Sequence, residues 1–186
     1  ADTLSISTTS SSATFEVAVS DNVGVGDAII YDSDGDNDLD ASDALVFIAG
    51  RSSSTLYTIQ NEFGEAPTIA TTDNDKWAIY RAHTSLANAE AGTKNTSIPM
   101  SFRGGNLDLP AISTQWNIAC YANGTTPDST AVTIDGWETS EDYYLKVYTP
   151  VTATEVGVSQ RHSGKWDDSK YVIQNGTQFG VRINDN

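Results

Sequence analysis

The chain has 186 residues, 38% of them hydrophobic and 19% charged, with a formal net charge of −15. That length holds one domain or two small ones with a real core. Ten Lys and Arg scattered among twenty-five acids exclude the basic clusters that bind a nucleic-acid backbone, and no apolar run approaches the roughly eighteen residues that cross a bilayer.

Good helix formers are scarce, while Ser, Thr, Asn and Gly abound, so the composition suits an all-β chain rich in turns. Ala1-Asp2-Thr3 fits a mature start left by signal cleavage. Residues 1–12 are polar and predict a flexible arm or an edge strand. From Ala13 to Ser20, Ala13, Phe15, Val17 and Val19 alternate with Thr14, Glu16, Ala18 and Ser20, the period of a strand with one buried face. Asp21-Asn22 then turns the chain. Ala28–Tyr31 predicts a second strand, which runs into an acidic loop. Leu45–Ala49 follows as a short apolar run ended by Gly50, read as a strand, with a helical turn after Asp43 as the alternative. Leu56–Ile59 and Trp77–Tyr80 predict two more strands, with Pro67, Asp73, Asn74 and Asp75 between them. One short helix is expected over Ser85–Ala91, capped by Thr84 or Ser85 and closed by Gly92.

After Pro99 and Gly104-Gly105 the texture changes. Short strands recur at rung-like spacing around Ile118, at Val132–Ile134, along Tyr143–Tyr148, at Tyr171–Ile173 and at Phe179–Ile183. The expectation is a sandwich or β-roll-like part over 1–98 and a short β-helix-like or sandwich part over 99–186, or one continuous domain. The chain stops at Asn186 straight after a strand, which predicts either a longer protein or an edge paired with another chain.

The strongest motif is Asp32-Ser33-Asp34-Gly35-Asp36-Asn37-Asp38-Leu39-Asp40-Ala41-Ser42-Asp43. Calcium takes about six to eight hard oxygen ligands, and a twelve-residue loop supplies them from positions 1, 3, 5, 7, 9 and 12. Those positions are Asp32, Asp34, Asp36, Asp38 (by its carbonyl), Asp40 (through a water) and Asp43. Gly35 and Asn37 tolerate the positive φ of a tight wrap, and Leu39 is placed to anchor the loop. The loop resembles a dockerin-type calcium loop over these twelve residues, without the second loop and helices of a dockerin. Asp73 and Asp75 form a smaller acidic turn, a possible second cation site that turn chemistry explains as well.

Other chemistry is thinner. Cys120 is the only cysteine, so no intrachain disulfide forms, and Trp116, Ile118 and Cys120 share one strand face, the setting of a buried structural thiol. His83 and His162 lie in no metal motif. Arg161, His162 and Asp167 could compose a lyase or hydrolase site, but a polar corner pinned by Trp166 is the preferred reading, and no catalytic residue is assigned. Among Trp77, Trp116, Trp137 and Trp166, burial is the default; Trp137 and Tyr148 are the candidates for sugar stacking if exposed. Sequons begin at Asn95, Asn123 and Asn175.

A family resemblance rests on Ala131–Trp137, Tyr144–Pro150 and Ser159–Asp167, with Gly50–Ser54 and Tyr80–Leu86 in support. These stretches resemble the N-terminal region of large secreted bacterial proteins that continue into a right-handed parallel β-helix of the pectate-lyase-like kind. The resemblance implies an extracellular or cell-surface setting and carries no uniform activity. The resulting expectation is a secreted, calcium-stabilised structural protein that joins copies of itself through strand edges into a filament, tube or layer. The alternative is a carbohydrate-binding or accessory module of a polysaccharide-active β-helix protein.

Overall fold

The computed structural model describes residues 2–102, 107–176 and 179–184; the Gly104-Gly105 pair that marks the change of texture, Thr177 of the third sequon and the terminal Asn186 lie outside them. The fold is all-β with one short helix. Its chain divides into two compact units, each assembled from several stretches: residues 1–82, 95–102 and 151–159 in the first, and 83–94, 103–150 and 160–186 in the second.

The first unit is one antiparallel sheet of seven strands: β1 (Leu4–Ser7), β2 (Ser12–Phe15), β3 (Asp27–Tyr31), β4 (Ala44–Arg51), β5 (Leu56–Gln60), β6 (Thr71–Asn74) and β7 (Trp77–Arg81). Their order across the sheet is β6-β1-β2-β5-β4-β3-β7. The two ends of this order, β6 and β7, are joined by Asp75 and Lys76 alone. Three peptide steps reach about 11 Å at most, so the sheet must curl until its edges nearly meet. Inside the curl, Leu4, Ile6, Phe15, Ile29, Tyr31, Val46, Ile48, Tyr57 and Ile59 form the core. Phe15 packs edge-on against Tyr57 at 5.8 Å and against Trp77 at 4.9 Å. The closing seam is bridged from within, where the Tyr31 hydroxyl donates to the Ile69 carbonyl at 2.6 Å, and from Trp77 Nε1 to the Asp2 carbonyl at 3.2 Å.

Two expectations change here. Leu4–Ser7, within the stretch expected to be an arm or an edge strand, is neither: β1 pairs with both β2 and β6, because Leu4 and Ile6 supply two buried positions within a Ser/Thr background. The predicted strand over 13–20 ends at Phe15, and Val17 is exposed.

β3 is buried on both faces. Its second face, Ala28 and Ile30, packs with Ile98 and Met100 from the 95–102 stretch, and Leu39, Leu45, Phe47 and Phe102 pack against them. The stretch 151–159 docks on the same unit through backbone bonds: Val25 to Glu155 at 2.9 Å, Arg51 to Thr154 at 2.7 Å and Val158 to Asp21 at 3.0 Å.

In the second unit, β8 (Trp116–Ala119), β9 (Val132–Ile134), β10 (Leu145–Tyr148) and β11 (Val181–Ile183) pair in parallel, β8 with β10 and β9 with β11. Isolated parallel bridges join Asp108 to Glu138 and Asp128 to Ile173. Taken in chain order, 108, 116–119, 128 and 132–134 are matched by 138, 145–148, 173 and 181–183. One pass of the chain therefore lies along the next, as two turns of a parallel coil. The helix α1 (Leu86–Glu90) packs Leu86 and Ala89 with Ile118, Cys120 and Val132 of the first turn. Ser85 caps it through its hydroxyl, and the Asp128 carboxylate accepts from the Leu86 N–H at 2.8 Å.

Candidate metal centre

The acidic loop, residues 32–43, is the connection of the β3–β4 hairpin, whose last pair is Tyr31 with Ala44. Its shape follows from its side chains. Gly35 and Asn37 take left-handed φ of 84° and 73°, as residues without a β-carbon or with a short amide tolerate. The Asp32 carboxylate accepts from the N–H groups of Gly35 at 2.6 Å and Asn37 at 3.0 Å. Asp43 closes the loop from the other end, accepting from Ser33 at 2.9 Å and Asp40 at 2.8 Å. Asp34, Asp36 and Asp40 each accept from the N–H two residues on, at 3.3, 3.0 and 2.7 Å. Leu39 reaches the core beneath β3.

This folding gathers carboxylate oxygens into two groups within 4.8 Å, Asp32 with Asp34 and Asp36, and Asp36 with Asp38 and Asp40. Asp36 belongs to both. The Asp43 carboxylate lies in neither group and serves instead as the clasp between the loop ends. Asp38, expected to offer its carbonyl, presents its carboxylate to the second group. A carboxylate oxygen that accepts one N–H keeps a further lone pair, so these bonds orient ligands without using them up.

The charges strain against one another. Asp38 is raised above the ordinary carboxylate range, first by the charge of Asp36, then by partial desolvation and the charges of Asp40 and Asp43. At Asp34 the Asp36 N–H pulls the pKa down, yet desolvation and the charges of Asp36, Asp43 and Asp32 outweigh it. Asp40 is lowered by the Ser42 N–H and hydroxyl. A divalent cation would relieve this repulsion with the hard oxygen donors that calcium prefers. The ion pairs found among the described residues, Arg51–Asp21 and Arg81–Asp27, lie elsewhere.

Sequence reasoning did not foresee the brace behind the loop. Asn74 Nδ2 donates to the Asp32 carbonyl at 2.6 Å, and the Asp32 N–H donates to Lys76 at 3.0 Å. The loop therefore starts on the two-residue link that closes the curled sheet. Asp73 and Asp75, the proposed second site, flank this brace and are exposed. They join no cluster of three ligands among the described residues. Asp73 has a φ of 51° where the β1–β6 register shifts, a conformation that suits Asp without a metal.

In the second unit, Trp137 is half-buried, 6.2 Å from the Trp116 ring, with Nε1 donating to Glu90 at 3.0 Å. Tyr148 is half-buried beneath the Lys146 ammonium, 4.3 Å from its ring centre. The open indole is instead Trp166, 70% exposed, stacked on His162 at 5.4 Å and bonded through Nε1 to Asp168. His162 Nδ1 accepts the Asp167 N–H at 3.2 Å. The Asp167 carboxylate accepts from the Ser169 hydroxyl and N–H, which lower its pKa. Cys120 is buried, and desolvation pushes its thiol up to about 11, which keeps it protonated.

No family model, curated protein or solved structure matches the chain.

Proposed function

We propose that this chain is an extracellular, calcium-stabilised structural protein that joins copies of itself at a cell surface or in a filament or layer. The observation that carries the reading is the pair of carboxylate groups sharing Asp36, in a loop tied at Asp32 to the link that closes the curled sheet. In this role calcium is a staple and takes no part in a reaction. The parallel pairing of β8 with β10 and β9 with β11 supports kinship with the secreted β-helix proteins that the sequence resembles. A cation at a hundred times its dissociation constant adds on the order of 3 kcal/mol to stability. Thermal unfolding should therefore rise by several degrees with calcium over chelator, more than with magnesium, and Asp36→Asn should abolish most of the difference. Identical melts with calcium and chelator sink the proposal.

A second reading, a carbohydrate-binding module, is favoured by Trp166: its indole is exposed and held by His162 and Asp168, whereas Trp137 and Tyr148 are half covered. Binding of soluble polysaccharides that survives Trp137→Ala but not Trp166→Ala supports it; no binding to any removes it.

A further inference from the structure

We infer that Asn123 is a site of spontaneous self-modification, at which the Gly124 main-chain nitrogen displaces the side-chain amide as ammonia and leaves aspartate or isoaspartate. The tripeptide Asn-Gly-Thr occurs twice in the chain, at 123–125 and at 175–177. Both copies belong to the second unit. A glycine after asparagine favours the reaction in any chain, because no β-carbon shields the attacking nitrogen. The surroundings of each copy then set its rate, and they differ.

Asn123 and Gly124 lie in a two-residue hairpin turn, in which Asn123 bridges to Thr126 and the Thr126 N–H donates to the Asn123 carbonyl at 3.0 Å. Gly124 has a φ of 59°, while Thr125 stays out of the left-handed region, the pattern of a type II′ turn with glycine first. Residues 123–126 are all exposed. A β-carbon on Gly124 would meet no atom within 4 Å, so the approach is open to solvent. The Asn123 side chain and the Gly124 N–H make no hydrogen bond among the described residues. Nucleophile and electrophile are thus adjacent, unengaged and in water. Asn175 differs on each count: it is half-buried, and its Nδ2 donates to the Phe179 carbonyl at 3.0 Å. Its carboxamide must give up that bond before Cγ can turn toward the Gly176 nitrogen.

The step balances with water and base alone. Base removes the Gly124 amide proton, the nitrogen bonds to Asn123 Cγ, the Cγ–Nδ2 bond breaks and ammonia leaves. Water then opens the cyclic imide. Opening at Cγ gives aspartate; opening at the main-chain carbonyl gives isoaspartate, with the chain routed through the side chain. Either product adds a negative charge. Isoaspartate also lengthens the backbone of the turn by one carbon, which the tight Asn123–Thr126 bridge does not accommodate.

Ageing of the whole chain in mildly alkaline buffer, followed by peptide mass mapping and isoaspartyl methylation, tests the inference. In the folded chain, position 123 should convert at least about fivefold faster than position 175, the factor that one net hydrogen bond supplies. In denaturant the two positions should converge, since the tripeptides are the same. Asn123→Gln, at an exposed and unbonded position, should fold as the wild type does by circular dichroism and lose the early acidic form on isoelectric focusing. Equal rates in the folded chain, or faster conversion at position 175, overturn the inference. A preference for position 123 that persists unchanged in denaturant overturns it too, by placing the cause in the flanking sequence and not in the turn.

Discussion

Asp27 is a carboxylate placed at a cost. It is 1% exposed at the start of β3, and it is held by Arg81 Nη1 at 2.5 and 2.6 Å and by the Gly24 N–H at 2.9 Å. Burial nevertheless dominates and raises its pKa from 3.8 to about 6, against the opposing pull of the Arg81 charge. A carboxylate raised in the folded state binds its proton more tightly there than in the unfolded chain. Its contribution to stability is therefore complete below the unfolded value and is lost as pH rises through about 6. Two units of pKa correspond to on the order of 3 kcal/mol. Asp27→Asn removes the titration and retains an acceptor for Gly24. Whatever the offset between the two proteins, the variant should gain on the wild type as pH rises from about 4 to 7, read as the difference in Tm. Parallel Tm curves over that range would count against the buried-carboxylate account.

At the scale of elements, legibility followed local pattern. β3, β4, β5 and β7 were readable because Ile, Val, Tyr and Trp cluster in short bounded runs, and α1 because Ser85 and Gly92 bracket it. β1 and β6 were not: Leu4 and Ile6 sit among Ser and Thr, and Thr71–Asn74 has no apolar residue at all, so only the neighbouring strands make them sheet. The acidic loop was legible as a ligand set from its spacing. Its Asn74 brace was not, since forty-two residues separate Asn74 from Asp32 and nothing local couples them. The return of 151–159 to the first unit was equally silent, and it explains Gly157. A β-carbon there would lie 2.4 Å from Asp21 Oδ1, 2.8 Å from its Cα and 2.9 Å from its Cβ. Two of those atoms cannot swing aside, so the segment must lift or Asp21 must shift, which also disturbs the Arg51–Asp21 pair at 3.4 Å. Gly157→Ala should cost about 1–3 kcal/mol, measured by chemical denaturation. Unchanged stability would mean that the 151–159 stretch docks more loosely than its backbone bonds indicate.

For the whole molecule, the division of charge predicts how the two units respond to loss of a cation. Six of the first unit's fifteen acids are the Asp residues of the 32–43 loop, and the loop is tied at Asp32 to the link between β6 and β7. Without a cation the repulsion falls on the hairpin mouth and on the seam that this link closes. The parallel ladders of the second unit contain none of these residues. Chelation should therefore speed amide exchange in β3, β4, β6 and β7, and least of all in β2 and β5, which lie mid-sheet. Amides of β8 to β11 should hold their rates, because subglobal opening follows the unit whose contacts are weakened. Added monovalent salt should recover part of the loss in the first unit, since screening acts on exposed like charges. Acceleration spread evenly over β1 to β11 would show one cooperative body in which the loop is no local staple. Acceleration confined to residues 32–43 would show a loop that binds cations without bracing the sheet.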